Sequence, residues 1–149
     1  MESVLKQQLV EMLGRLERIS LPEFCADVDL TTLGFMRSIA HNFAGGDDNV
    51  YMADLPGRLH VSKASISQIA SLLESKGYVE REINKTNRRQ ITITLTNAGQ
   101  EALSKAEGDF NKLLDDFLDR LGDDDAKEAL RLFQRFAEIM EQISITGGN

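Results

Sequence analysis

Few residues of this sequence have the chemistry that catalysis or metal binding requires. The 149 residues include one cysteine, Cys25, and two histidines, His41 and His60. A single cysteine forms no internal disulfide, and two isolated histidines do not supply the ligand set of a structural zinc site. Residues 123–125 are consecutive aspartates, but negative charge at the start of a helix is favourable without further function. We therefore predict no metal, no cofactor and no enzyme, since no nucleophile–base pair or phosphate loop accompanies these residues.

Cys25 has two interpretations. As a reactive thiolate it would be an oxidation sensor. The neighbouring carboxylates of Glu23, Asp27 and Asp29 disfavour the negatively charged thiolate that oxidation requires. The sequence therefore favours an unreactive, half-buried thiol, and the redox activity of Cys25 stays open.

Small or slender hydrogen-bonding side chains recur over residues 62–71, beside an apolar stripe. A helix that enters a major groove needs short side chains for close approach, and donors or acceptors that meet base edges. A solvated helix without such a role usually carries Glu and Lys, although an ordinary polar surface is the alternative interpretation. The residues expected to face the groove are Ser62, Lys63, Ser65, Ser67 and Gln68.

A basic segment with the sequence N-K-T-N-R-R occupies residues 84–89. Its composition is polar and typical of turns. Cations in such a loop supply phosphate and minor-groove contacts beside a helix that reads bases. The predicted contacts are Lys85, Asn87, Arg88 and Arg89.

The elements that must position these residues are indicated by the same stretch. Ser62 is a good N-cap for a helix, and Gly77 is a good residue to end it. Apolar residues at positions 66, 69, 70 and 73 have the spacing of one buried helical face. Period-two alternation with β-branched residues over 78–83 and 90–95 predicts two strands. Helix, strand, basic tip and strand together predict a winged helix.

The distribution of charge supports a nucleic-acid partner, although the net charge of −7 does not. Within residues 58–89, seven basic residues outnumber three acidic ones, which gives about +4 locally and leaves about −11 elsewhere. Attraction to phosphate is screened beyond about 10 Å at ordinary salt. The local charge therefore matters more than the sum.

Amphipathic segments flank the predicted winged helix. Residues 2–20 and 31–43 each predict a helix, and residues 54–59 predict the first helix of a helix-turn-helix, where Pro56 is tolerated only in the first turn. Residues 97–121 and 123–143 predict two further helices, the last apolar on more than one side. Such a helix must be covered by the monomer core or by a second copy of the chain.

Composition places the chain in the cytoplasm. A hydrophobic fraction of 42% predicts a folded chain, and no apolar run approaches the roughly 20 residues that cross a bilayer. The first residues lack the apolar core of a signal peptide. We expect no membrane partner.

Two stretches carry a resemblance to a known family. V-S-K-A-S-I-S-Q-I-A-S-L-L-E-S-K-G-Y-V-E-R, residues 61–81, resembles the recognition helix and first wing strand of MarR (multiple antibiotic resistance regulator) transcription factors. N-K-T-N-R-R-Q-I-T-I-T-L-T-N-A-G, residues 84–99, resembles the family's wing, second strand and long helix. Arg89 keeps the position of the arginine that the family inserts into the minor groove. The family usually has aspartates where Asn84 and Asn87 stand, and alanine in place of Pro56.

The resemblance implies a mainly α fold of the α+β class in a single domain, residues 1–149. About residues 31–96 would form the winged helix-turn-helix that binds DNA. About residues 1–30 and 97–149 would form the dimerisation region of a homodimer. Its partner would be double-stranded, pseudo-palindromic operator DNA with half-sites about one helical turn, roughly 34–36 Å, apart.

The family resemblance also implies a transcriptional regulator, usually a repressor, that a small aromatic or phenolic effector releases from DNA. Candidate walls of an effector pocket are apolar residues of the second helix, although core packing is the alternative for each: Phe35, Met36, Ile39 and Phe43. The rival function is a winged-helix interaction module that binds protein instead of DNA, as an antirepressor does.

Overall fold

The structure, a computed structural model, describes residues 2–20, 28–41 and 49–146. Each predicted helix and strand is present, with ends within about three residues of the predicted ones wherever the chain is described. This mainly helical architecture with one small sheet confirms the predicted fold class. The elements are α1 (Glu2–Glu17), α2 (Leu30–His41), a 3₁₀ turn (Met52–Asp54), α3 (Leu55–Leu59), α4 (Lys63–Ser75), β1 (Val79–Ile83), β2 (Ile91–Leu95), α5 (Asn97–Leu121) and α6 (Asp123–Thr146).

The chain forms two compact units, Met1–Glu107 and Gly108–Asn149. The boundary falls inside α5. The first unit contains the whole winged helix, and the second contains the rest of α5 together with α6. The assignment of the terminal helices to a dimerisation region stays a prediction.

The core of the first unit is built from the apolar faces of α2, α3, α4 and the start of α5. Phe35 and Met36 of α2 have no exposed surface, and neither does Leu55 of α3. Complete burial of one such side chain stabilises the fold by roughly 1.5–3 kcal/mol, so this cluster fixes how α4 and the sheet are held. The other buried apolar residues are Val28, Leu33, Ile39, Val50, Ile66, Ala70, Leu73, Val79, Ile93, Ala102, Leu103 and Ala106.

The sheet pairs β1 with β2 in antiparallel register, from Val79 opposite Leu95 to Ile83 opposite Ile91. Tyr51 makes an isolated antiparallel bridge to Thr92 from the other side of β2. The period-two pattern places Ile83 on the same face as buried Val79, yet Ile83 is 58% exposed. The hairpin extends beyond the core towards its tip, so only the first residue of β1 is buried.

The terminal helices leave large apolar side chains exposed within each unit. On α1 these include Leu5, Leu9, Leu13 and Leu16, each about half exposed or more. On α6, all of the following are exposed: Leu130, Leu132, Phe133, Phe136, Ile139, Met140 and Ile143. Contiguous apolar surface of this kind usually marks an interaction site. No helix within the described part of the chain has the length and apolar character that would let it cross a membrane.

Candidate nucleic-acid interface

A helix-turn-helix leads into the candidate interface. Pro56 stands in the first turn of α3, where its missing N–H leaves no hydrogen bond unmade. The helix ends at His60, whose φ of 54° is left-handed and whose N–H donates to the carbonyl of Pro56. Pro56 therefore stands in the first turn of the helix, the one place where the sequence predicts that a proline is tolerated. A histidine in this conformation was not expected, since the left-handed region costs a non-glycine residue about 1–2 kcal/mol.

Ser62 caps α4 as predicted. Its Oγ accepts a hydrogen bond from the backbone N–H of Ser65 at 3.1 Å. The same hydroxyl donates to Oγ of Ser65 at 3.0 Å. Both hydroxyls are therefore engaged in starting the helix, which positions Lys63, Ser67 and Gln68 on its exposed surface.

The end of α4 is closed by a Schellman motif around Gly77. The N–H of Tyr78 donates to the carbonyl of Leu73 at 2.9 Å, and the N–H of Gly77 donates to that of Glu74 at 3.0 Å. Gly77 has a φ of 75°, which glycine adopts without steric cost. This turn sends the chain directly into β1.

Thr96 ties the start of α5 to the same turn. Its Oγ1 donates to the carbonyl of Gly77 at 2.6 Å and accepts from the N–H of Gly99 at 3.1 Å. Its own N–H donates to the carbonyl of Tyr78 at 3.0 Å. The end of α4, both strands and α5 therefore meet at one hydrogen-bonded junction.

Two of the local cations are paired or partly buried within the fold. The guanidinium of Arg81 forms an ion pair with Glu74, which links β1 to α4. The Nη1 atom of Arg58 is buried without a hydrogen-bond partner among the described residues. Neither side chain is as available to phosphate as the local charge count suggests.

The tip of the hairpin, which we call the wing, comprises residues 84–90. The N–H of Asn84 donates to the carbonyl of Gln90 at 2.9 Å, which closes the wing at its base. A tighter turn lies inside it, where the N–H of Gln90 donates to the carbonyl of Asn87 at 2.9 Å. Arg88 and Arg89 are therefore the two central residues of a β-turn.

The wing cations are free to meet an anion. Lys85, Arg88 and Arg89 are exposed, and the structure gives them no ion pair within the residues it describes. Lys63 at the start of α4 is likewise exposed. The first unit contains all nine residues predicted to contact DNA, on α4 and its cap and on the wing, and the contacts themselves stay a prediction.

Three of the four candidate effector residues lie on α2, and their role stays a prediction. Phe35 and Met36 are completely buried in the core. Ile39 lines a cavity of about 300 Å³, whose other walls come from α2, β2, α5 and Val50. Phe43 lies outside the described residues, as does Cys25. Among the described residues, the cavity is lined by Ile39, Ala40, Val50, Ile93, Thr94, Leu95 and Gln100.

Histidine and carboxylate side chains are scattered over the described ranges. These ranges contain no group of three or more histidine, cysteine, aspartate or glutamate residues placed to hold an ion. The aspartates at 123–125 form the first turn of α6, where they face the positive end of the helix dipole.

A family model described as "Winged helix DNA-binding domain" matches residues 39–114, which is just over half of the chain. The curated proteins include a "Putative transcriptional regulatory protein for hcr operon" from Thauera aromatica, 28% identical over 102 residues. The match covers 68% of this chain and 58% of that protein. The chain therefore spans less than two thirds of the length of this relative.

Solved structures of regulators share the fold. The PcaV transcriptional regulator from Streptomyces coelicolor has a TM-score of 0.70 at 15% identity, covering 95% of this chain and 98% of that one. PcaV has also been solved in complex with its natural ligand. A mutant of MarR from E. coli, complexed with operator DNA, has a TM-score of 0.69 at 20% identity, covering 91% and 95% of the two chains. At these identities the likeness shows a common fold.

Proposed function

This chain belongs to the winged helix DNA-binding domain family, and on that premise we propose that it is a transcriptional regulator that recognises a specific duplex sequence. One observation carries the proposal. A single compact unit combines a helix with an exposed polar face and a β-hairpin whose tip has three exposed cations. Groove reading and phosphate attraction, the two components of DNA binding, are thereby joined.

In the proposed complex, α4 lies in the major groove. Ser67 and Gln68 meet base edges there, because their side chains are exposed and end in donors and acceptors. Lys63, at the start of the helix, is placed for a phosphate. The wing lies against the neighbouring backbone, with Arg89 in the minor groove and with Lys85 and Arg88 beside it.

We propose a homodimer assembled through the terminal helices. The exposed apolar faces of α1 and α6 support it, since a monomer in water would leave both uncovered. A twofold dimer presents two copies of α4 and therefore suits a pseudo-palindromic operator with half-sites about one turn apart, roughly 34–36 Å. The dimer would act as a repressor while it occupies such an operator.

We propose that a small aromatic or phenolic effector controls this repression from the cavity lined by Ile39. A volume of about 300 Å³ is at the lower end for a small-molecule site. Two of its walls, Ile93 and Leu95, belong to the strand that leads from the wing to α5. An occupant would press on that strand, and titration of candidate phenols into a protein–DNA complex tests whether it releases the DNA.

The decisive experiment selects duplexes from fragmented genomic DNA and measures affinity for them by fluorescence anisotropy across a series of salt concentrations. We expect preference for selected over random duplex, and a steep loss of affinity with salt. The slope of log affinity against log salt is negative, and Arg89→Ala should reduce its magnitude by about 0.9, the contribution of one phosphate neutralised.

Arg120→Ala is the matched control for this experiment. Arg120 is exposed on α5 in the second unit, where it pairs with Asp116 at 3.0 Å, so its loss should leave the slope unchanged. A wild-type protein that prefers no duplex over competitor DNA at moderate salt would overturn the proposal. That outcome would favour the protein-binding module, which capture of a partner protein would then test.

A further inference from the structure

The wing is closed by the side-chain amides of Asn84 and Asn87. A carboxylate at either position could accept the same hydrogen bonds, but it could not donate one. Asn84 is half-buried at its base, and its Oδ1 accepts from the N–H of Thr86 at 2.9 Å and of Asn87 at 3.4 Å. Its Nδ2 donates to Oε1 of Gln90 at 3.0 Å. Asn84 therefore holds both sides of the wing through its side chain as well as its backbone.

Asn87 repeats this arrangement inside the loop. Its Oδ1 accepts from the N–H of Arg89 at 3.2 Å, which forms an Asx turn within the β-turn. The bond fixes the backbone of the turn that carries Arg88 and Arg89. An aspartate could accept the same hydrogen bond, so the backbone geometry alone does not require an amide here.

Because the two amides are neutral, they do not reduce the positive charge of the wing. Residues 84–90 contain Lys85, Arg88 and Arg89 and no carboxylate. The acidic residue closest along the chain is Glu82, on β1. A carboxylate at position 84 or 87 would lie within the same short loop as the three cations, and salt screens charges only beyond about 10 Å at 0.1 M.

We propose that Asn84 is the positioning residue of the wing, and that its neutral amide shapes the loop while leaving the full charge of Lys85, Arg88 and Arg89 to the DNA backbone. The inference rests on the proposed DNA binding. It assigns a role to the amide that goes beyond contact with DNA. The charge of the two capping residues, rather than the number of basic residues alone, then sets how strongly affinity depends on salt.

The test uses the full-length protein and a random-sequence duplex, because backbone attraction is independent of sequence. Asn84→Asp keeps the acceptor and adds one negative charge. We expect the magnitude of the negative slope of log affinity against log salt to decrease by about 0.9. If the affinities are equal at 1 M salt, this variant then binds about eightfold more weakly than wild type at 0.1 M.

Two further variants separate charge from shape. Asn84→Ala removes the cap without adding charge and should weaken binding with little change in slope. Asn87→Asp adds the same charge but leaves the bond between Asn84 and Gln90 intact. It should therefore reduce the magnitude of the slope of log affinity against log salt, as Asn84→Asp does. The control Asn97→Asp adds a carboxylate at the start of α5, outside the wing, and should change the slope less.

Different failures have different meanings here. Wild-type protein that binds neither random nor selected duplex overturns the proposed function and this inference together. Wild-type binding with unchanged slopes in folded Asn84→Asp and Asn87→Asp overturns only the inference. The inference is also overturned if Asn84→Ala reduces the magnitude of the slope as much as Asn84→Asp does, because the shape of the loop would then explain the effect without charge.

Discussion

The polar face of α4 contains two kinds of side chain that the sequence alone did not distinguish. Ser62 and Ser65 hydrogen-bond to each other and to the helix start, so their hydroxyls already have partners. Ser67 and Gln68 are exposed and have no such commitment. We therefore expect base discrimination to depend more on Gln68 than on the two serines at the cap.

Gln68→Ala should relax base preference. A bidentate contact from an amide side chain to a base edge supplies roughly 1–3 kcal/mol of discrimination. The measurement compares affinities for the selected duplex and for duplexes with single mismatches, before and after the substitution. Ser71→Ala is the control, since Ser71 is exposed on the same helix but farther from the end that usually reads bases. Equal mismatch penalties in wild type and Gln68→Ala would remove Gln68 from the interface.

At the scale of the elements, the junction beneath α4 determines how the reading helix and the wing are held. Thr96 is bonded to the carbonyl of Gly77 and to the N–H of Gly99. The ion pair between Glu74 and Arg81 adds a second link between α4 and β1. The local sequence contains no signal that the hydroxyl of Thr96, at the start of α5, also bonds to the end of α4.

Gly99→Ala should destabilise the winged helix. A Cβ at this position would lie 2.0 Å from the carbonyl oxygen of Tyr78, and backbone must move to accommodate it. Overpacking of this kind costs about 1–3 kcal/mol or more, which chemical denaturation measures as a lower midpoint.

Gly108→Ala is the matched control in the same helix. A Cβ on Gly108 meets nothing within 4 Å. Alanine there should raise the free energy of unfolding by roughly 0.5–1 kcal/mol, because glycine is a poor helix former. Replacing glycine by alanine should therefore lower the free energy of unfolding at position 99 and raise it at position 108. Destabilisation of similar size at both positions would contradict the close approach between Gly99 and the carbonyl of Tyr78.

At the scale of the whole molecule, the apolar surface of the terminal helices is the feature that the winged helix does not explain. Phe133 of α6 is 63% exposed and Leu9 of α1 is 54% exposed. Within the second unit, Phe133 also lines an apolar groove with Phe117, Leu118 and Leu130. Burial of these faces against a second chain is the role that the proposed dimer gives them.

Phe133→Glu should weaken the dimer. It places a charge on a surface that the proposed interface covers, and a buried charge without a partner is strongly unfavourable. Sedimentation equilibrium should give twice the chain mass of 16.6 kDa for wild type and a shift towards one chain for the variant. Gln134→Glu, one residue along on the exposed surface of α6, should leave the mass unchanged. A wild-type protein that is monomeric at micromolar concentration would argue against the assembly.

The sequence by itself determined the order and approximate ends of the helices and strands. It did so because caps, turns and hydrophobic periods are local, and each acts over a few residues. Ser62, Gly77 and the alternation around the wing needed no knowledge of distant residues. Only the tertiary structure decided which of the predicted side chains are available for binding.

Contacts between residues distant along the chain decided that availability. Phe35 and Met36 are completely buried in the core, and Arg81 is paired with Glu74. The requirement for glycine at position 99 arises from a carbonyl twenty-one residues earlier, at Tyr78. Whether a side chain is buried, paired or free depends on how the elements pack, and the local patterns of a sequence do not encode that packing.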